Sequence, residues 1–308
     1  MSAMTGLAID VRGLRKSYGD LEAVRGIDLQ VRAGEVFALL GPNGAGKTTT
    51  VEILEGHRDR SAGEVRVLSH DPALNERDLK RRIGIVLQST GVEPYLTVEE
   101  VIDLFRGYYP NSRPLDEIID VVGLREKRKS LVRRLSSGQL RRLDVAIGLA
   151  GDPELLFLDE PTTGFDPSAR RNAWQMVKSL QSLGKTVFLT THYMDEAQHL
   201  ADRVAIIVDG RIVAEGAPGE LVRGHAPTTI TFRLPHPQDL PEALLDHARV
   251  ADGRVTIETS EPTRTLYRLT SWATEQAIEL DALTVAQTSL EDVYLRLTSD
   301  AGAEAREE

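Results

Sequence analysis

The most constraining feature of this sequence is a glycine-rich segment between an apolar run and a helical pattern. Residues 41–48 read GPNGAGKT, which fits the pattern G-x-x-x-x-G-K-[ST]. The apolar run 36–40 predicts a buried strand before it, and a helix is expected over Lys47–Leu54. Glycines let backbone N–H groups curl around phosphate oxygens, and a helix N-terminus favours the same anion. We therefore predict a phosphate-binding loop. Its expected contact residues are Gly41, Pro42, Asn43, Gly44, Ala45, Gly46, Lys47, Thr48 and Thr49.

A second apolar run ends in two carboxylates and supplies the other half of a nucleotide site. Residues 155–158 predict a buried strand, and Asp159-Glu160 follow it directly. Asp159 is placed to bind Mg²⁺ together with the Thr48 hydroxyl, and Lys47 to reach the outer phosphates as a point charge. Glu160 can polarise the attacking water as general base. The two segments together predict a nucleoside triphosphatase.

The composition of the chain limits the classes of protein to which it can belong. The chain has 308 residues, no cysteine and a formal net charge of −10. The lack of cysteine excludes disulfides and thiolate metal sites, and the negative charge argues against a nucleic-acid partner, which needs a basic face. No apolar stretch approaches the roughly 18–20 residues that span a bilayer. The first residues also lack the pattern of a secretory signal. We therefore expect any membrane role to come through a partner.

Basic residues are concentrated between positions 125 and 142. A charge run of this kind is usually a solvated helical surface, and the alternative is a surface near phosphate or a membrane. We interpret the run as an exposed helical surface. It comprises Arg125, Lys127, Arg128, Lys129, Arg133, Arg134, Arg141 and Arg142.

Short β-rich runs alternate with helical patterns over residues 1–223, which predicts an α/β domain. A helical subdomain is expected at about 90–150. It includes a capping box at Thr97–Glu100, and the helix that follows should carry Val101, Leu104 and Phe105 on one face. The other expected strands are Leu7–Val11, Val65–Leu68, Ile83–Leu87, Val187–Leu189, Val204–Val208 and, after an Asp209-Gly210 turn, Arg211–Val213; a further helix is expected at Arg170–Leu183.

The character of the sequence changes after about residue 224. Prolines punctuate the segment, and the alternation of Ile230, Phe232 and Leu234 predicts a half-exposed strand. A second hairpin turn is expected at Asp252-Gly253, and a last helix at Ser289–Thr298. We predict a small α+β domain over residues 224–300 and a disordered tail over 301–308.

A pentapeptide between the two halves of the site identifies a family. Leu135-Ser136-Ser137-Gly138-Gln139 closely resembles the signature motif of ABC ATPases, and it precedes Asp159 as it does in that family. Other family landmarks follow in the expected order. They are Tyr18, which resembles the aromatic residue stacked on adenine; Gln88, which resembles the Q-loop glutamine; Gly164-Phe165-Asp166, which resembles the D-loop; and His192, which resembles the switch histidine.

The resemblance implies a mechanism in which two chains sandwich two ATP molecules. The signature residues Ser136, Ser137, Gly138 and Gln139 would contact the nucleotide bound by the opposing subunit. His192 would contact the γ-phosphate, and Gln88 would sense Mg²⁺ and a permease. The expected cofactors are therefore ATP and Mg²⁺, with Lys47, Gln88, Glu160 and His192 catalytic and Thr48, Gln88 and Asp159 at the metal.

Two positions depart from the family pattern. Ser137 stands where glycine is commonest in the signature, and Phe165 stands where leucine is usual in the D-loop. Ser137 still offers its backbone amide, although its side chain makes close approach tighter. These departures bear on the rate of turnover.

The C-terminal segment 289–294, SLEDVY, resembles the terminal motif of bacterial ABC-2 type drug exporters, such as the daunorubicin-resistance ATPases. That resemblance implies a homodimer at the cytoplasmic face of a bacterial membrane, driving a separately encoded ABC-2 type permease. The cargo would be a drug, an antibiotic or another hydrophobic compound. The alternatives are a soluble ABC ATPase acting on ribosomes or DNA, and a degenerate structural ATPase. The intact Lys47, Asp159, Glu160 and His192 argue against the last.

Overall fold

The computed structural model of the protein describes residues 6–86, 91–225, 228–234, 240–245, 248–251, 253–286 and 289–295. The chain divides into two compact units, Met1–Pro218 and Gly219–Glu308. Within the described residues, no helix is both long and apolar enough to cross a bilayer.

The first unit alternates strands and helices along the chain. Its strands are Leu7–Tyr18 (β1), Leu21–Arg32 (β2), Val36–Leu40 (β3), Ala62–Val67 (β4), Ile83–Val86 (β5), Leu155–Asp159 (β6), Thr186–Thr191 (β7), Arg203–Val208 (β8) and Arg211–Gly216 (β9). Its helices are Lys47–Leu54 (α1), Arg77–Arg82 (α2), Val98–Arg106 (α3), Leu115–Val121 (α4), Ser137–Leu149 (α5), Pro167–Ser182 (α6) and Met194–Leu200 (α7). Short 3₁₀ turns lie at Pro72–Leu74, Arg125–Lys127 and Val132–Arg134.

The central sheet decides where the functional side chains meet. In the part of the chain that the structure describes, six strands form it in the order β5-β6-β7-β3-β8-β9. All neighbours are parallel except β8 and β9. Every residue of β3 is buried, as expected for a parallel strand covered on both faces. Because β6, β7 and β3 are adjacent and parallel, the segments that follow them meet at one edge.

A smaller antiparallel sheet completes the first unit, with the order β2-β1-β4 among the described strands. The prediction of a strand at Leu7–Val11 is too short, since β1 continues to Tyr18 and pairs with β2 along its length. Strand β2 is not predicted from the sequence, because its charged residues interrupt the apolar alternation that marks a strand. Apolar side chains from both sheets share one core, including Val24 and Ile27 from β2 and Phe37 from β3.

Several local predictions are confirmed. Helix α1 has the expected bounds, and the Thr97–Glu100 capping box is formed. Asp209 and Gly210 have φ values of 46° and 75°, which suits the two-residue turn between β8 and β9. Helix α6 starts at Pro167 rather than Arg170, because Asp166 caps it.

Val101, Leu104 and Phe105 share one face of α3, on which Val101 is buried and Leu104 is 52% exposed. One prediction about exposure is wrong. Arg141 is not part of an exposed surface, since it is only 6% exposed within α5. The segments 125–127 and 132–134 are 3₁₀ turns rather than regular helix, and Arg125 and Arg128 are ion-paired with Asp120 and Glu99.

The second unit is built on an antiparallel sheet. Its elements are Pro218–His225 (α8), Thr228–Arg233 (β10), Glu242–Leu245 (α9), Ala248–Ala251 (β11), Arg254–Thr259 (β12), Pro262–Glu275 (α10), Asp281–Ala286 (β13) and a helical segment at 290–295. The described strands have the order β11-β12-β10-β13.

The core of the second unit confirms the predicted alternation. Ile230, Phe232 and Leu234 are buried and pack with Val255 and Leu269. Ser289 and Asp292 form the expected capping box, since the Asp292 Oδ2 accepts from the Ser289 N–H at 2.8 Å and the Ser289 Oγ from the Asp292 N–H at 3.2 Å. The predicted positions Leu87, Asp252 and Leu297 and the tail 301–308 lie outside the described residues.

Candidate functional site

The predicted phosphate loop connects β3 to α1 and requires glycine for two different reasons. Gly44 and Gly46 have φ values of 83° and 100°, which favour glycine. A Cβ on Gly41 would lie 2.3 Å from the Ile207 carbonyl oxygen, and one on Gly46 would lie 2.5 Å from that of Ala23. The loop is therefore seated against both sheets.

Lys47 lies at the start of α1 with its side chain turned back over the loop. Its Nζ donates to the Gly41 carbonyl at 2.7 Å and to the Pro42 carbonyl at 3.0 Å, and it lies 3.8 Å from Glu160 Oε1. Burial lowers the pKa of Lys47, while the charges of Glu160 and Asp159 act in the opposite direction. The ammonium is thus held at the loop, next to the carboxylates.

The remaining loop residues differ in their exposure to solvent. Asn43, Gly44 and Thr48 are exposed, Pro42 and Thr49 are half-buried, and Ala45 is buried. Thr50, by contrast, is buried, and its Oγ1 donates to the Gly46 carbonyl at 2.9 Å. Thr50 is therefore engaged within the helix, whereas Thr48 is exposed at the loop.

The two carboxylates lie where β6 ends, in a segment that we call the carboxylate loop (residues 159–163). Asp159 Oδ1 accepts a hydrogen bond from Thr190 Oγ1 at 2.5 Å. Glu160 has a φ of 44°, in the left-handed region that a side chain disfavours. Its N–H donates to the Thr190 carbonyl at 3.2 Å and Oγ1 at 3.1 Å, and Thr163 Oγ1 donates to its Oε2 at 3.0 Å. Thr190 and Thr163 were not predicted, and no sequence signal marks them.

His192 follows β7 and completes the cluster. Its Nδ1 lies 3.1 Å from Glu160 Oε1, the same oxygen that faces Lys47 Nζ. The His192 ring lies 4.0 Å from the Tyr193 ring, centroid to centroid. Lys47, Asp159, Glu160 and His192 therefore meet at one edge of the sheet, although they are far apart in sequence. Gln88 lies outside the described residues.

The signature residues open α5. Ser136 caps this helix in a capping box, in which the Ser136 N–H donates to Gln139 Oε1 at 3.0 Å and the Gln139 N–H to Ser136 Oγ at 3.3 Å. Ser137 is exposed and Gly138 is half-buried. A Cβ on Gly138 would lie 3.6 Å from that of Ala169, an ordinary contact. The helix N-terminus thus presents a well-ordered turn with a positive dipole end.

The segment predicted as a D-loop opens α6. Gly164 has a φ of 78°, and Asp166 Oδ1 accepts hydrogen bonds from the N–H groups of Ser168 and Ala169 at 2.8 and 2.9 Å. These backbone hydrogen bonds hold the pKa of Asp166 below its usual value. Asp166 therefore acts as a cap, and Phe165 precedes it directly.

Tyr18, the last residue of β1, presents a half-exposed ring that is flanked by cations. The ring is 39% exposed. Lys16 Nζ lies 5.1 Å and the Arg58 guanidinium carbon 5.3 Å from its centroid, within the range of cation–π contacts. Neither cation was predicted.

Comparison with known proteins assigns the family. The ABC transporter family model matches residues 24–163, and a model for the C-terminal domain of ABC transporter domain-containing proteins matches residues 228–289. The chain belongs to the ATP-binding subunits of ABC transporters, as the similarity of nearly its whole length to such proteins shows. The predicted α/β fold and ATPase activity are thereby confirmed.

Individual relatives cover nearly all of the chain. It is 38% identical to the daunorubicin/doxorubicin resistance ATP-binding protein DrrA of Streptomyces peucetius, over 97% of this chain and 94% of that protein. It is 37% identical to the Nod factor export ATP-binding protein I of Rhizobium sp. strain N33, over 96% and 98%. A dimeric ATP-binding cassette in a post-hydrolysis state, bound to ADP and Pi, superimposes with a TM-score of 0.60 at 25% identity, covering 68% of this chain and 98% of that one.

Proposed function

We propose that this chain is the ATP-hydrolysing subunit of an exporter, in which two copies close around two ATP molecules and drive a separately encoded ABC-2 type membrane permease. The observation that carries the proposal is the convergence of Lys47 and His192 on one carboxylate oxygen of Glu160, at distances of 3.8 and 3.1 Å. The phosphate loop lies beside it. This arrangement suits phosphoryl transfer to water.

Residues of the loop bind the phosphates in this proposal. Backbone N–H groups of residues 43–49 surround the anion, and Lys47 exchanges its bonds to loop carbonyls for bonds to phosphate oxygens. Thr48, Gln88 and Asp159 would hold Mg²⁺, which would neutralise charge on the phosphates. Mg²⁺ binds through one or two carboxylates together with phosphates, and Asp159 and the Thr48 hydroxyl supply oxygen ligands of the kind it takes.

Glu160 acts as the general base. Its Oε2 already accepts from Thr163, and its Oε1 faces Lys47 and His192, so the carboxylate has a fixed direction. It takes a proton from the attacking water, which His192 helps to hold in line with the γ-phosphate. A water oriented in this way needs little reorganisation to react.

The signature and the aromatic ring complete the nucleotide site. The capped N-terminus of α5 offers a second anion-binding helix end, which in a head-to-tail dimer serves the ATP of the opposing chain through Ser136–Gln139. The dimeric form of the ADP-bound cassette supports the association of two copies. Tyr18 stacks on adenine with the cations Lys16 and Arg58 at its ring.

The relatives' names guide the proposal of cargo. One is named for resistance to daunorubicin and doxorubicin and the other for export of Nod factor. We assign this chain to the export of a drug, an antibiotic or another hydrophobic compound, at the cytoplasmic face of a bacterial membrane. Residues 1–223 form the ATPase domain and residues 224–300 an accessory domain in this assignment.

The test is an affinity pull-down of the Glu160→Gln variant with ATP and Mg²⁺ from detergent-solubilised native membranes, with partners identified by mass spectrometry. We expect a multi-span membrane protein to be recovered. Lys47→Ala is the matched control, since weaker nucleotide binding should reduce the recovery. Ribosomal or DNA-repair proteins without any permease would contradict the transport function and support the soluble alternative.

A further inference from the structure

Arg141 contacts the backbone on both sides of Glu160. It lies in α5, five residues after the helix cap Ser136, and is only 6% exposed. One terminal guanidinium nitrogen (Nη2) donates to the Asp159 carbonyl at 2.9 Å, and its Nε donates to the Pro161 carbonyl at 3.4 Å. A planar guanidinium with several N–H groups suits such a two-point contact. The residue between the two carbonyls is the proposed base.

The hydrogen bonds of Arg141 add to those that hold a strained backbone turn at Glu160. Glu160 has a φ of 44°, and such conformations persist where their surroundings over-determine them. Its N–H donates to Thr190, and its carbonyl accepts from the Thr163 N–H at 3.3 Å. With Arg141 on the carbonyls of Asp159 and Pro161, the backbone of the turn is held from β7, from within the loop and from α5.

Acids from three elements lie around the Arg141 cation, and one of them, Glu196, is fully buried. Asp144 Oδ2, one turn further along α5, lies 4.0 Å from a guanidinium nitrogen. Burial lowers the pKa of Arg141, and the charges of Asp144, Asp159 and Glu196 oppose that effect. Glu196 lies in α7 and is fully buried. The guanidinium is therefore fixed by charge as well as by its hydrogen bonds.

We propose that Arg141 is a positioning residue, which holds Glu160 in its left-handed turn and ties it to the helix that carries the signature. The proposal rests on the function proposed above, in which the N-terminus of α5 binds the opposing subunit's nucleotide. Displacement of α5 when that nucleotide binds then moves the carbonyls around Glu160 in the same chain. Arg141 thus links occupancy of one ATP site to the geometry of the base in the other.

The test compares Arg141→Lys and Arg141→Met with the wild type, using hydrogen exchange and ATP hydrolysis. Lysine keeps the charge but has one ammonium group for two carbonyls, and methionine keeps most of the volume. Arg113→Lys is the matched control: the Arg113 side chain is 14% exposed and pairs with Asp152 and Glu117. Thermal unfolding identifies any variant that fails to fold. If the methionine variant does not fold, the lysine variant, which keeps the positive charge, still allows the test.

We expect the amides of Glu160, Thr162 and Thr163 to exchange about tenfold faster in both Arg141 variants, because the turn opens more often. The kcat should fall by about tenfold or more while the KM for ATP stays within about threefold, since the base is misplaced but the phosphate loop is intact. The Arg113→Lys variant should match the wild type. A global loss of stability would instead raise exchange throughout the protein.

Two results would overturn the proposal. One is unchanged exchange at Glu160, Thr162 and Thr163 in folded Arg141 variants, whatever their turnover. The other is faster exchange with an unchanged kcat. A wild-type chain that hydrolyses no ATP would refute the proposed function, and the exchange measurement would still decide whether Arg141 holds the turn.

Discussion

Glu160 combines a strained backbone with a crowded carboxylate. Its φ is 44°, and its two oxygens face Thr163 on one side and Lys47 and His192 on the other. Each contact restricts the direction of the carboxylate. At the scale of single residues, the contacts present one carboxylate in one orientation, and substitutions there should affect ATP binding and ATP hydrolysis separately.

The clearest test is Glu160→Gln. The amide keeps the size of the side chain but cannot accept the proton, so turnover should fall by about 100-fold or more. ATP binding should be retained, and an ATP-bound dimer should accumulate. Phosphate release and size-exclusion chromatography with ATP measure the two effects. Glu99→Gln, which alters an ion pair with Arg128, is the control, and near-normal hydrolysis by Glu160→Gln would remove Glu160 from its role.

Substitution of Tyr18 should affect affinity rather than rate. Removing the ring in Tyr18→Ala takes away the stacking surface, and we expect the Kd for ATP to rise by about tenfold. The kcat at saturating ATP should change by less than about twofold, because the ring is remote from the transferred phosphate in the proposal. Tyr18→Phe should behave like the wild type. Equal affinities in the alanine variant and the wild type would exclude Tyr18 from the site.

Glu55 should make stability depend on pH. Burial, with smaller effects of the Asp159 and Glu52 charges, raises its pKa from 4.5 to about 8. The unfolded chain ionises near pH 4.5 but the folded chain does not, so the contribution is fully present below pH 4.5 and is lost as pH rises towards 8. The free energy of unfolding should fall by up to about 1.4 kcal/mol per pH unit in this window, relative to Glu55→Gln. Urea unfolding at several pH values measures the difference, and parallel curves would show that Glu55 ionises normally.

At the scale of elements, the parallel sheet brings the site together. Asp159 of β6 pairs with Thr190 of β7, and Leu40 of β3 pairs with Thr191. The phosphate loop, the carboxylate loop and His192 consequently leave neighbouring strands at one edge. This is the part of the site that sequence predicts well, because the motif, the strand pattern and the order of landmarks all point to the same edge.

Other features of the site depend on tertiary contacts that sequence patterns do not encode. The apolar run before Glu160 does not differ from the other predicted strands, so it does not predict the left-handed turn at this residue. Arg141 belongs to a run of basic residues, and its burial arises from carbonyls and acids that come from distant segments. Strand β2 is not predicted either. Its apolar residues alternate only weakly, and its pairing with β1 is a tertiary contact that stabilises the strand.

The phosphate loop gives a prediction at this scale. Gly46→Ala places a Cβ 2.5 Å from the Ala23 carbonyl at a φ of 100°. The conformation alone costs about 1–2 kcal/mol, and the contact requires β2 or the loop to shift. We expect lower stability and loss of ATP binding, measured by urea unfolding and nucleotide titration. Gly219→Ala, with open space around its Cβ, is the control; normal ATP binding by Gly46→Ala would show that the loop tolerates the shift.

At the scale of the whole molecule, the chain has two units with separate cores. The second unit buries alternate residues of β10 against helices, as its sequence predicts, and the family match at residues 228–289 falls within it. The phosphate loop and the signature helix belong to the first unit. In the proposed dimer each ATP site combines the phosphate loop of one chain with the signature helix of the other, so the site depends on how two chains associate.

Mixing two inactive variants tests that association. In a head-to-tail dimer, Lys47→Ala disables one chain's phosphate loop and Gly138→Asp disables the other chain's signature. A mixed dimer keeps one intact site, so an equal mixture should recover about a quarter of wild-type ATPase activity by two-fold symmetry. Each variant alone should be nearly inactive. If the mixture stays inactive while both variants remain folded, the two chains do not share their sites.

The turn at residue 160 also bears on how this protein evolves. A φ of 44° is a conformation that glycine adopts without penalty, so Glu160→Gly relieves strain while it removes the carboxylate. A library screened only for heat resistance should therefore enrich glycine at this position, and one screened for ATP hydrolysis should restore glutamate. Natural proteins often trade stability for activity in this way. Under the proposed role of Glu160 as the base, glutamate at this position serves catalysis at the expense of folding stability.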